Sequence, residues 1–161
     1  MNAIDLLKSQ HREVEDLFSE LERAGDTDTK VDLFETVADK LAIHAALEEH
    51  HFYPAVKEQR TEGLLHEAVQ EHLAVKRLLA ELLETDVEDE RFDPQLKVLR
   101  ETVERHVEEE EGDLFRRVRR LFTADRLEAI GSAMSTEQDE LEGRGSPREM
   151  IPSETEQPAS L

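Results

Sequence analysis

Apolar side chains recur at three- and four-residue steps along most of this chain, and each such run predicts a helix. Ile4, Leu7, Val14, Leu17, Phe18 and Leu21 define the first, over residues 2–24, ended by Gly25. Asp26–Thr29 reads as a turn with capping residues. A second helix follows from Lys30 to Lys57, with Leu33, Val37, Leu41 and Leu47 on one face and Pro54 placed to kink its C-terminal end. After a short connection at 58–62, the helical pattern returns over 64–83. Asp86–Arg91 is an acidic loop. Phe92-Asp93-Pro94 then supplies a hydrophobic residue, an N-cap and a proline at the first helical position, starting a fourth helix that runs to Phe122. Thr123 caps a fifth, sparser helix over 124–141. From Gly143 onward the composition is that of a disordered tail. Nothing alternates as a strand does. The expected fold is all-α: an antiparallel up-down-up-down four-helix bundle at 1–122, an additional C-terminal helix at 123–142, and a disordered tail at 143–161.

The helices fall into two copies of one hairpin. QHREVEDLFSEL (10–21) aligns with EHLAVKRLLAEL (71–82), which sets His11 on His72. HAALEEHHFYPAVK (44–57) aligns with HVEEEEGDLFRRVR (106–119), which sets His44 on His106 and Glu48 on Glu110. Each copy thus carries a histidine on its first helix and an HxxxE pair on its second.

Residues four apart return to within about 40° of the same helix face. His44 and Glu48 therefore lie one above the other, in line with Val37, Leu41 and Leu47. His106 and Glu110 share a face with Leu99, Val103 and Leu114. His11 runs with Leu7, Val14 and Phe18, and His72 with Leu65, Val69, Val75 and Leu79. All six polar groups point into the bundle. Left without partners, each would cost roughly 1–3 kcal/mol, against a net stability of about 5–15 kcal/mol. Mutual hydrogen bonds could meet part of that cost; a bound cation removes it. Neutral imidazoles coordinate through one nitrogen, and carboxylates can bridge two ions while cancelling their charge. Four histidines and two bridging glutamates give each of two metals two nitrogens and two oxygens. The donor set suits iron, with manganese the alternative; a structural zinc site would more often use cysteine.

Composition narrows the classes. The 161 residues contain no cysteine, so disulfides are excluded and any metal must be held by nitrogen and oxygen. A formal charge of −20 opposes a nucleic-acid partner, and the basic run Arg116–Arg120 sits where a helix C-terminus favours cations. No apolar stretch reaches membrane-helix length and no basic n-region opens the chain, so a cytoplasmic protein is expected.

The order H…HxxxE…H…HxxxE, across about residues 5–120, resembles the hemerythrin-like family, whose unit is the HHE cation-binding domain. The resemblance implies a non-haem di-iron centre with an oxo or hydroxo bridge. His11 and His44 would hold one iron, His72 and His106 the other, with Glu48 and Glu110 bridging. Oxygen-carrying hemerythrins have a further histidine one turn before the position of His72, and here that position is Ala68. Reversible oxygen carriage is therefore disfavoured, and chemistry with O2, hydrogen peroxide or nitric oxide is expected.

His51, about 20° from the line of His44, is placed either as a replacement ligand or as a flanking group, with Asp113 at the matching point of the second copy. Glu49 and His50 turn toward flanks or solvent, Glu109 and Glu111 toward a solvated face, and Tyr53 is expected either to hydrogen-bond near the site or simply to pack beside Phe52. Three functions compete: peroxide removal of catalase type or iron handling, a non-catalytic iron or oxygen sensor, and iron-centre repair under nitrosative stress. The cysteine-bearing segment that accompanies the last is missing, which ranks it lowest. A ferritin-like oxidase would need Glu-x-x-His pairs, and Leu41, Val69 and Val103 stand at those places. The HExxH pattern of zinc hydrolases also fails, because Gln70 follows His66-Glu67 where histidine is required.

Overall fold

The computed structural model describes residues 1–161 and contains helices only. The helix α1 spans Ala3–Glu22 and starts at Asn2, whose side chain accepts from the Asp5 amide. Helix α2, Thr27–Leu47, starts at Asp26, which accepts from Thr29. Helix α3 is Glu62–Leu83 and α4 is Phe92–Glu109. The start of α4 differs from expectation: Asp93 lies inside the first turn and pairs with Lys30 Nζ at 2.7 Å instead of capping. Thr123 does cap α5, Ala124–Gly143, by accepting from Arg126.

Neither α2 nor α4 runs on as a regular helix. Each passes into a five-residue π turn, Glu48–Phe52 and Glu110–Leu114, then into a last helical piece, Tyr53–Ala55 and Phe115–Leu121. In both, the turn closes when the amide five residues on donates back to the carbonyl of the glutamate, Tyr53 to Glu48 and Phe115 to Glu110. Pro54 is not the cause, since Arg116 holds the matching place in the second copy and the same turn forms there.

Helices α1 and α2 pack together, as do α3 and α4, which makes the two predicted hairpins. Helix α5 lies on α1 and α2, where Gly131 lets the backbone of Met1–Ala3 cross so closely that any side chain would collide with it. The tail departs from the expected disorder. Pro147–Glu154 forms a 3-10 segment over α2 and α3 and buries Ile151. Arg148 ties it to Asp39 at 3.0 Å and to Glu35 at 2.9 Å. Low hydrophobicity predicted a free segment, but one isoleucine and paired charges suffice to dock it on a groove already formed.

The core is split into two apolar clusters. One holds Leu7, Leu47, Leu65 and Phe115; the other holds Val14, Leu41, Leu79 and Val103. Each bundle helix, α4 together with its continuation to Leu121, crosses from one cluster to the other, and along each stands a buried histidine: His11, His44, His72 or His106. A polar layer thus divides the middle of the molecule.

Candidate metal centre

All six predicted residues meet in that layer, and none is more than 7 % exposed. Their donor atoms form two groups, His11–His44–Glu48–Glu110 and Glu48–His72–His106–Glu110, so both glutamates belong to both. The Nε2 atoms of His11 and His44 face each other at 3.2 Å, as do those of His72 and His106. Glu48 Oε1 lies 3.1 Å from His44 Nε2 and 3.0 Å from His72 Nε2, which spans the two pairs. Glu110 spans them with separate oxygens, Oε1 at 3.2 Å from His11 Nε2 and Oε2 at 3.3 Å from His106 Nε2.

Two carboxylate oxygens in this layer, Glu48 Oε2 and Glu110 Oε1, are buried and accept no hydrogen bond. His11 Nε2 is near the second of them but is not aligned to donate. An ionised oxygen orphaned in a protein interior is strongly unfavourable unless a cation meets it. The residues therefore fit a pair of cations, by the same reasoning that set them facing inward.

Outside the donor atoms, each imidazole gives its Nδ1 proton to one partner. His11 donates to Glu111 at 2.6 Å, His44 to Gln10 at 2.7 Å, His72 to Glu49 at 2.6 Å and His106 to Glu71 at 2.7 Å. An acceptor at Nδ1 leaves the Nε2 lone pair free for a cation and orients the ring. Without a cation, the facing carboxylates favour the protonated imidazoles instead. Burial opposes charge on His11, His72 and His106, yet the facing carboxylates outweigh it and raise all three above the ordinary histidine range. Burial likewise opposes ionisation of Glu48, but the imidazoles around it hold it well below the usual carboxylate value. At the edge, sharing a hydrogen bond with Glu71 pushes exposed Glu109 up to about 7.

Three expectations for neighbouring residues change, and Tyr53 takes the hydrogen-bonding one of its two readings. Glu49 is not on a flank: it is buried, bonded to His72 and to Lys76 Nζ at 2.8 Å. Glu111 is likewise drawn in by His11 and Arg12. His51 faces away, 2.8 Å from Glu137 on α5, beside exposed His50 on the same carboxylate. Tyr53 is buried, and its hydroxyl donates to Glu110 Oε2 at 2.6 Å and lies 3.2 Å from His72 Nε2. The π turn explains the last two. One extra residue in a turn sets back everything after it by about 100°, which carries His51 off the ligand face and brings Tyr53 onto it. No spacing rule for a regular helix could have found Tyr53. Glu49 and Glu111, by contrast, follow Glu48 and Glu110 in both copies, and that repetition was a usable signal.

A cavity of about 420 Å³ reaches all four histidines. Val14, Phe18, Leu41, Leu79, Val103 and Ile151 form its apolar wall, with Arg12, Glu15, Glu104 and Glu108 among its charged lining.

Residues 2–118 match the family described as the hemerythrin HHE cation binding domain. This chain belongs to that family. A crystal structure of a hemerythrin HHE cation binding domain-containing protein, the Rv2633c homolog from Mycobacterium kansasii, superposes with a TM-score of 0.81 at 25 % identity, covering 94 % of this chain and 97 % of that one. A DNA nickase from Nostoc sp. is 27 % identical over 144 residues, 89 % of this HHE chain but 41 % of the nickase. The chain thus spans about two fifths of that relative's length. No helix of this HHE protein is long and apolar enough to cross a membrane.

Proposed function

We propose that this chain is a cytoplasmic, non-haem di-iron protein that binds or reacts with a small oxygen species, whether O2, hydrogen peroxide or nitric oxide. The observation that carries this reading is the sharing of Glu48 and Glu110 by two histidine pairs, which supports two adjacent cation positions over one. His11 and His44 would hold one iron and His72 and His106 the other, with both glutamates bridging and Tyr53 offering a further oxygen on the His72 side. A pair of irons there supplies reversible one-electron changes and Lewis acidity toward a small ligand. The protein's part is to hold the imidazoles in one tautomer, to cancel cation charge with buried carboxylates, and to admit small ligands past an apolar wall. DNA nicking, named for the Nostoc relative, is not carried over, because a chain of net charge −20 repels a phosphate backbone.

Anaerobic titration with ferrous salt should reach about two irons per chain, and uptake without stoichiometry would defeat the reading. With iron loaded, oxygen release from added hydrogen peroxide should exceed that of free iron; none above it would remove the catalase-like version. A non-catalytic sensor is the second reading, favoured by the bonds that link both C-terminal elements to the site: α5 through Gln138 to Gln10, and the tail through Glu154 to Lys76. It requires a large rise in protease resistance on loading, and equal digestion of both forms would end it.

A further inference from the structure

The two ion positions are matched in their ligands but not in what stands behind them. The register that sets His11 on His72 also sets Gln10 on Glu71, and the register that sets Glu48 on Glu110 sets Glu49 on Glu111. The outer partners obey the same pseudo-twofold. The residue before each α1 or α3 histidine accepts from the histidine of the next helix, Gln10 from His44 and Glu71 from His106. The residue after each bridging glutamate accepts from the histidine of the other hairpin, Glu49 from His72 and Glu111 from His11. One of these four acceptors is neutral: the amide of Gln10. Its orientation is fixed, because its nitrogen donates to Gln138 Oε1 at 3.2 Å while Gln138 donates to Glu142 at 3.1 Å.

The charges behind the two pairs follow suit. Around His11 and His44, Glu111 is matched by Arg12 at 2.6 Å. Around His72 and His106, Lys76 bonds Glu49 at 2.8 Å and Glu154 at 2.9 Å, while Glu71 pairs with His106 and with no lysine or arginine. An imidazole that gives its outer proton to a carboxylate is a stronger donor to metal than one bonded to an amide, and such partners are worth 10–100-fold in affinity. Resting on the di-metal reading, we propose that the two positions are unequal, and that Gln10 is the positioning residue that makes the His11–His44 position the weaker-binding and more easily reduced one.

The test is an anaerobic titration of the metal-free full chain with Co2+ alone, followed by its visible absorption. Two steps separated by about tenfold or more are expected. His44→Ala should remove the weaker step and His106→Ala the tighter one. Gln10→Glu should tighten the weaker step by about 10–100-fold and leave the other in place, while Glu71→Gln should weaken the tighter step by a similar factor. In iron-loaded protein Gln10→Glu should lower the potential of the higher-potential ion alone, a change that a merely structural role for Gln10 would not produce. Equal steps in the parent chain, loss of the tighter step in His44→Ala, or a Gln10→Glu titration and potential unchanged from the parent would each overturn the proposal while leaving two ions bound. Failure of any Co2+ to bind would instead remove the di-metal reading and the inequality with it.

Discussion

The two hairpins repeat each other at His11/His72, His44/His106 and Glu48/Glu110, and then diverge one atom further out. Gln10 stands where the second copy has Glu71, and Phe115 stacks 6.0 Å from the His11 ring where the first copy has Tyr53 hydrogen-bonded to Glu110. Donor atoms have little freedom, since a cation needs them all at once. Groups behind them only tune it and can drift apart after duplication. Symmetry in the six inward-facing groups with asymmetry in their support is what the proposed two-cation site, built from a repeat, would show.

The strongest way to break this comparison is to empty one half. The double variant His72→Ala/His106→Ala should lose about half of the bound metal, and His11→Ala/His44→Ala the other half, by metal analysis of refolded, ferrous-loaded protein; loss of all metal in both would mean that neither hairpin holds an ion alone. Next in size is the contrast between the cations behind Glu49 and Glu111. Lys76 is buried, so Lys76→Ala should destabilise the metal-free protein by about 3 kcal/mol by breaking a buried ion pair and leaving Glu49 to His72 alone. Arg12 is exposed, and Arg12→Ala should cost less than about 1 kcal/mol in the same urea unfolding. Tyr53→Phe would make the halves more alike, remove a donor from a buried carboxylate, and lower stability by about 1–2 kcal/mol.

The smallest effect is one of pH and reverses with loading. In the metal-free chain His11, His72 and His106 are raised above their ordinary 6.5, so their stabilisation is complete below pH 6.5 and is lost as pH rises through the folded values. Glu48 is held below its ordinary 4.5, so its contribution is present above pH 4.5 and is lost as pH falls through the folded value. Metal-free protein should therefore melt highest between about pH 4.5 and 6.5. Metal requires neutral imidazoles, so the loaded form should gain stability as pH rises through that window. Parallel melting curves for the two forms would contradict this.

Leu7, Val14 and Phe18 placed His11 on an inward face, and equivalent rows placed the other five donors, because a regular helix converts spacing into direction. The same conversion failed for His51 and Tyr53 once the π turn added a residue. It failed for Glu49 because a carboxylate off the apolar line can still be drawn inward by an imidazole and a lysine on the next helix. The tail failed for a related reason: its composition cannot make a core, but Ile151 needs only to fill one that already exists.

Local periodicity by itself thus determined the helices, the repeat and the six inward-facing donors, since each depends on rotation per residue within one segment. Which neighbours support those donors, where the wide turns fall, and how α5 and the tail reach the centre were decided only by the assembled bundle. Those features rest on contacts between segments distant in the chain, whose energies no single segment contains.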